Sequence, residues 1–397
     1  MRNLAINGGK PIRKTPLYYG HQWIDEDDIN AVISVLRSDH LTCGPAVDKL
    51  ERKLCEITGA KFAVVLSNGT AALQAACYAA GVREGDEVIT TPMTFAASAN
   101  CALYRGAKPI FADVNPETYN ISPESIKRNI NEKTKAIVAV DFTGQAVELD
   151  EICSICREKN ILLIEDGAHS IGTEYKGKAV GNIADFTTFS FHPVKTVTGG
   201  EGGAVLTNNK TFYQKLKLFR SHGITRDFEL MENKGAGDWY YEQIDLGYNF
   251  RLTDIQAALV TSQLDKLTRF KKRRQEIAAQ YNEAFSKFPG IILQKEILES
   301  DTARHLYIIQ LDLEQLTVGR KDIFDALKAE NIFCNVHYIP IYYFPYYRKL
   351  GYEKGICPNA EKLYERMITL PLYPAMSDED VDSVIMAVKK VIEFYLK

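Results

Sequence analysis

No stretch of the 397 residues is apolar for long enough to span a bilayer, and the opening MRNLAINGGKPIRKTP lacks the apolar core of a secretory signal. No membrane association is expected, and the cytoplasm is the expected address. An excess of one charge is also missing: 48 Lys and Arg face 51 Asp and Glu, a net charge of -3. No overall basic field is therefore available to hold nucleic acid or an anionic membrane. Cysteine is sparse, with 8 residues thinly spread, which argues against a disulfide framework of the secreted type. Cys153 and Cys156 do stand in a C-x-x-C. Within EICSICREKN, however, they share the apolar face of a helix with Ile152 and Ile155, and no second pair at metal spacing follows. Core packing is expected for both, and no metal site.

What is present is a chain that is 46% hydrophobic and 25% charged, long enough for one large domain and a smaller one. From Lys61 onward short β-branched runs alternate with helical segments. The runs are FAVVLS, DEVITT, KPIFADV, KAIVAV and ILLIED, separated by TAALQAACYAAG, TFAASANCALYRG and LDEICSICREKN. This is the rhythm of a mainly parallel α/β sheet covered by helices on both faces. Two more runs, DFTTFSFH and GGAVLTN, follow with only the loop PVKTVTGGEG between them. In open α/β sheets the active site gathers at the carboxyl ends of the strands, where these loops lie. After Asn249 the chain turns helical, reading as a connector of residues 251–288 between a large domain, 1–250, and a small α/β domain, 289–397. That last part offers a strand HLYIIQLDL, a helix KDIFDALKAEN, a strand IFCNVHYI and a terminal helix entered by the cap Ser377.

Four elements could carry chemistry. In SFHPVKTVTGGEGGAV a lone Lys195 leaves a strand and enters a loop with Gly199, Gly200, Gly202 and Gly203. Backbone of that kind can approach a ligand closely. A lysine amine buried there is a candidate Schiff-base nucleophile, although a solvated loop lysine would read the same. ILLIEDGAHS ends a strand with Glu165, Asp166 and His169. A buried strand-end carboxylate needs a cation or a protonated ring nitrogen, and Asp against a pyridinium is what pyridoxal 5′-phosphate (PLP) requires as an electron sink. A helix N-cap would equally account for Asp166, and a core histidine for His169. LSNGTAALQAA gives a strand, the turn Ser67 to Thr70 and an Ala-rich helix whose free N–H groups suit a phosphate, although the turn is also a common capping sequence. It is neither a P-loop nor a dinucleotide fingerprint. Phe95, after the next strand, could lie on an aromatic cofactor or belong to the core.

Taken in order, these pieces resemble a fold-type I PLP enzyme. The segments INGGKP, NGTAAL, GDEVITTPMTFAASAN, EDGAHSIG, FSFHPVKTVTGGEGG, GYNFRLTDIQAA and LPLYP identify the chain, almost from end to end, as similar to the DegT/DnrJ/StrS sugar-nucleotide aminotransferases. The resemblance implies a large, mainly parallel seven-stranded sheet domain with a smaller C-terminal α/β domain. It makes Lys195 the Schiff-base lysine and Asp166 the partner of the pyridine nitrogen, with His169 at the ring hydroxyl and Phe95 stacked on the ring. Gly69, Thr70 and Ser190 would hold the phosphate, joined by Asn249 from the partner subunit of a homodimer with shared sites. The substrate contacts implied are Tyr19, the turn Asp39, His40, Leu41 and Thr42, then Gly69, Ser190 and Asn249, and the strand end Val336, His337, Tyr338 and Ile339. FSFHPVK, KLFRSHG and NVHYIPIYYFPYY narrow the likeness to members that aminate C4 of a UDP-linked 4-keto-6-deoxy-N-acetylhexosamine with L-glutamate. Another 3-keto or 4-keto nucleotide sugar and a non-catalytic PLP-binding regulator stay open as alternatives. A dehydrating branch of the family, with His for the lysine, is argued against by Lys195. Asp141, in VDFTGQ, departs from the family pattern, which often has His there.

Overall fold

The computed structural model describes residues 3–233 and 237–397. The seven runs form one sheet from β1 (Phe62–Leu66), β2 (Glu87–Thr90), β3 (Lys108–Phe111), β4 (Thr134–Val140), β5 (Leu162–Asp166), β6 (Phe186–Ser190) and β7 (Gly203–Thr207). Their spatial order is β1-β7-β6-β5-β4-β2-β3. All neighbours are parallel except β7, which runs antiparallel to β1 and β6. The loop after β6, residues 191–202, carries no helix to cross the sheet, and the chain returns antiparallel.

The strands are buried on both sides except at the edge strand β3, where Lys108 is exposed and Ile110 half-buried. On one face Val65, Ile137, Leu163 and Leu206 pack with Leu50 and Leu54 of the Pro45–Thr58 helix and Ile152 of the Leu149–Lys159 helix. On the other, Val64, Val138, Ile164 and Val205 meet the Gly69–Ala79 and Lys210–Arg220 helices. The Ala-rich surface of Gly69–Ala79 lets that helix lie close to the sheet, so its N-terminus sits over the strand ends. Cys156 is buried in the first of these cores and Cys153 packs against it.

The segment after Asn249 forms two helices, Asp254–Asp265 and Leu267–Phe285. Lys266 between them is nearly buried and pairs with Asp28 at 2.7 Å and with Asp25. Ile277, Tyr281 and Phe285 then enter a second core with Ile309, Leu311, Ile323, Val384 and Val388. The strands there are Ile291–Leu293, Tyr307–Leu311 and Met367–Leu370. The terminal helix Asp378–Tyr395 is entered through a capping box in which the Asp380 N–H donates to Ser377 Oγ at 3.1 Å. Leu4 and Leu17 lie in this second core, so the start of the chain packs with the C-terminal elements rather than with the large sheet.

IFCNVHYI is a strand only at Ile332–Phe333, paired with Leu17–Tyr18. Beyond it the Asn335 side chain takes the Val336 N–H at 2.8 Å and Pro340 has none to give, so Val336 to Ile339 run as irregular backbone. Among the described residues no helix is long and apolar enough to cross a membrane.

Candidate active site

A cavity of about 970 Å³ opens at the carboxyl ends of β1, β4, β5 and β6. It brings together Gly69, Thr70, Phe95, Asp166, His169, Ser190 and Lys195 with Tyr19 and Val336 to Ile339. At one end stands the first turn of the Gly69–Ala79 helix. Asn68 caps it by accepting the Ala71 N–H at 2.8 Å, and the N–H groups of Gly69 and Thr70 have no helical acceptor by construction. A Cβ on Gly69 would stand 2.9 Å from Ser190 Cβ. Glycine is therefore required for this turn to close on the end of β6, and the pair forms a small polar cradle at a helix N-terminus.

Asp166 ends β5 with 3% exposure. Ser98 Oγ–H donates to its Oδ2 at 2.6 Å and the Ala168 N–H to its Oδ1 at 3.2 Å. Burial raises Asp166 above the ordinary carboxylate range, while these two donors and the Lys195 charge pull it back. Ser98 was not singled out from sequence. Its only signal is that it lies one helical turn after Phe95, since its partner is 68 residues away.

Lys195 sits in the turn after β6, its N–H bonded to the His192 carbonyl at 2.9 Å, ahead of Gly200 at φ +76°. Burial lowers its amine to about 8, against an opposing upward pull from Asp166. At neutral pH about a tenth of such an amine is the unprotonated nucleophile, far more than for a solvated lysine. A solvated loop lysine would show no such shift.

His169 is buried, with Nε2 at 3.1 Å from Tyr338 Oη and its ring 4.4 Å from that of His305. Burial, then the Lys195 and His337 charges, keep it well below the ordinary histidine range, so the ring is neutral. His305, which the sequence reading missed, has no local motif to mark it. His337, held by Thr369 Oγ1 at 3.0 Å, lies with its ring 5.1 Å from Tyr19 and is lowered to about 4 by burial. Phe95 is 63% exposed on the cavity wall, which rules out the core alternative for its ring.

The remaining sequence-predicted residues do not reach the cavity of one chain. Asp39, His40, Leu41 and Thr42 are exposed, and so is Asn249. The turn lies against the start of the helix that follows Asn249: Thr42 bridges to Thr253, and the Asp254 N–H donates to the Leu41 carbonyl at 3.0 Å.

The residues fit PLP. Asp166 has two of its roughly four acceptor positions in use, leaving room for a ring N–H. His169 Nδ1 is buried without a partner, and the exposed Phe95 ring and the Gly69–Ser190 cradle match an aromatic ring and a phosphate. The model of the DegT/DnrJ/EryC1/StrS aminotransferase family matches residues 22–389. The chain belongs to this family.

Relatives in the family cover nearly all of the chain. An uncharacterized protein of Methanocaldococcus jannaschii is 45% identical over 93% of this chain and 96% of its own. The spore coat polysaccharide biosynthesis protein SpsC of Bacillus subtilis is 39% identical over 95% and 97%. A UDP-4-amino-4,6-dideoxy-N-acetyl-beta-L-altrosamine transaminase of Campylobacter jejuni is 40% identical over 95% and 99%. Among solved structures, Helicobacter pylori PseC, an aminotransferase involved in the biosynthesis of pseudoaminic acid, superposes with a TM-score of 0.89 at 34% identity, covering 96% of this chain and all of that one. A sugar aminotransferase of Streptococcus pneumoniae in its PLP form gives 0.89 at 32% identity, covering 96% and 100%. The chain is thus a PLP-dependent aminotransferase of nucleotide sugars, built on an α/β fold of the fold-type I kind.

Proposed function

We propose that the chain transfers the amino group of L-glutamate to C4 of a UDP-linked 4-keto-6-deoxy-N-acetylhexosamine, UDP-2-acetamido-2,6-dideoxy-beta-L-arabino-hexos-4-ulose, within pseudaminic acid biosynthesis. The observation that carries this reading is the full-length likeness to the Campylobacter transaminase, joined to a cavity that gathers Gly69, Phe95, Asp166, His169, Ser190 and Lys195. PLP, when bound, supplies an electron sink for the carbon that loses or gains a proton. Gly69, Thr70 and Ser190 would hold its phosphate, with Phe95 placed to cover its ring and His169 to face the ring hydroxyl. Asp166 keeps a proton at the ring nitrogen. Lys195 Nζ takes the proton from Cα of glutamate and, in the second half-reaction, delivers one to C4 of the sugar. The nitrogen leaves as part of neither 2-oxoglutarate nor water: it ends on C4, whose oxygen departs as water.

A panel of UDP- and dTDP-linked 3-keto and 4-keto sugars, scored for 2-oxoglutarate release and for the configuration of the new amine, tests the substrate. Strong preference for the β-L-arabino UDP ketone is expected. Preference for a dTDP sugar or a 3-keto sugar would leave an aminotransferase with another pathway, a reading to which the likeness to SpsC lends weight.

A homodimer with shared sites is part of the same proposal. Among the described residues lining the cavity, Lys195 is the single Lys or Arg, yet glutamate carries two carboxylates and the nucleotide a diphosphate. The exposed Asn249 segment also carries Arg251 and adjoins exposed Leu41, Leu246 and Tyr248, a surface suited to burial against a second copy. Mixed dimers of a Lys195→Ala chain and an Asn249→Ala chain keep one composite site intact. Random reassortment of equal amounts should restore about a quarter of wild-type activity to two impaired parents. An active monomer in light scattering would overturn the shared site.

A further inference from the structure

Asp141 is wholly buried at the end of β4, beside the strand that ends in Asp166. None of the roles above uses it. Its backbone N–H donates to the Asp166 carbonyl at 3.2 Å, and its carbonyl accepts the Gly144 N–H at 3.0 Å, closing the turn Phe142–Gly144. Its two carboxyl oxygens reach different segments. Oδ2 accepts from Ser170 Oγ at 2.5 Å, and Oδ1 accepts from the Val147 N–H at 3.0 Å. Ser170 directly follows His169 and is itself fully buried. The turn that Asp141 closes sends Phe142 toward the same histidine, with ring centroids 6.3 Å from His169 and 6.1 Å from Tyr338. The Thr143 carbonyl of that turn accepts the His305 backbone N–H at 2.8 Å, which brings in the ring that lies tilted against His169. One of the groups that define the position of His169, Ser170, is therefore tied to the Asp141 side chain, which also takes the N–H of Val147 just beyond the turn, while Phe142 and His305 are reached through the backbone of the turn that this carboxyl spans.

We propose that Asp141 is a positioning residue: its carboxyl, by joining Ser170 to Val147 across the Phe142–Gly144 turn, fixes where the His169 ring stands against the cofactor. The titratable groups packed around Asp141 are Glu165 and Asp166. Burial and the Glu165 charge raise its carboxyl well above the ordinary range, which makes the amide of asparagine, close in shape and polarity to a neutral carboxyl, the conservative replacement. Asn can still accept one donor through Oδ1 and give an N–H to the hydroxyl oxygen of Ser170. Leucine keeps the volume and loses both side-chain bonds.

The inference rests on the reading of His169 as a ring contact, and the test separates the two. Four variants, His169→Ala, Ser170→Ala, Asp141→Asn and Asp141→Leu, are compared by three measurements. These are the PLP dissociation constant of the apoenzyme, the pH midpoint of the absorbance of the lysine-linked cofactor, and the melting temperature. Ser170→Ala, which removes one hydroxyl and is the variant least able to disturb folding, should weaken PLP binding about 3- to 10-fold. It should also move the midpoint in the same direction as His169→Ala. Asp141→Leu should do the same more strongly, and Asp141→Asn should stay near wild type. If Ser170→Ala lowers only the melting temperature while His169→Ala moves midpoint and affinity, Asp141 and Ser170 are merely structural and the proposal falls. If His169→Ala moves neither, the reading of His169 falls and takes the proposal with it.

Discussion

Lys195→Ala should abolish turnover, with a fall of at least about 10³-fold in the rate of 2-oxoglutarate release from glutamate. The size follows from two roles resting on one amine. As the attacking group it must be unprotonated, and burial favours that form by lowering the amine to about 8. As the base it must stand over the carbon that loses a proton, and no other Lys or Arg lines the cavity among the described residues. His192 also lines it, but it lies on the exposed side of the turn. The variant should still bind PLP without a covalent bond, because the Gly69–Ser190 cradle and Asp166 are untouched. Cofactor retained and activity lost, measured on one preparation, separates this outcome from misfolding.

Asp166→Asn should lower kcat by about 10²–10³-fold, the range seen when one preorganised electrostatic partner is removed from a reacting centre. A neutral amide cannot hold a positive ring nitrogen, so the developing charge loses its counterpart in a site with little water. The same variant carries a second, oppositely informative readout. Cofactor linkage to the apoenzyme requires the neutral Lys195 amine, so its rate should rise with pH and level off above about 8. The Asp166 charge raises that amine, and removing it should move the midpoint to lower pH. Uptake measured against pH in both proteins checks the sign. A midpoint that rises in Asp166→Asn would mean that the two groups are not coupled through space.

The sheet was legible because its strands, the edge strand Lys108–Phe111 apart, are short apolar runs buried on both faces. Such runs leave no polar alternation to obscure their limits, and FAVVLS and ILLIED appear as Phe62–Leu66 and Leu162–Asp166. Gly69, Phe95, Asp166 and Lys195 were legible for the same reason, since each follows a strand and strand ends converge. What the sequence could not give depends on contacts between distant segments. Ser98 meets Asp166, and His305 meets His169, only after the sheet and the second core have assembled. The expected strand end at His337 and Tyr338 proved irregular, because Asn335 diverts a backbone donor to its own side chain. Residues Asp39 to Thr42 and Asn249 lie outside the cavity of one chain, and a pattern within one chain carries no signal for what a second copy would bring.

The account stands on Lys195 as the residue that carries the cofactor, and peptide mapping after borohydride reduction of the wild-type holoenzyme tests that most directly. Reduction makes the carbon–nitrogen link permanent, so the pyridoxyl mass should be found on the single peptide containing Lys195 and on no other. Label on a different lysine, or a holoenzyme that yields no labelled peptide, would contradict the central claim.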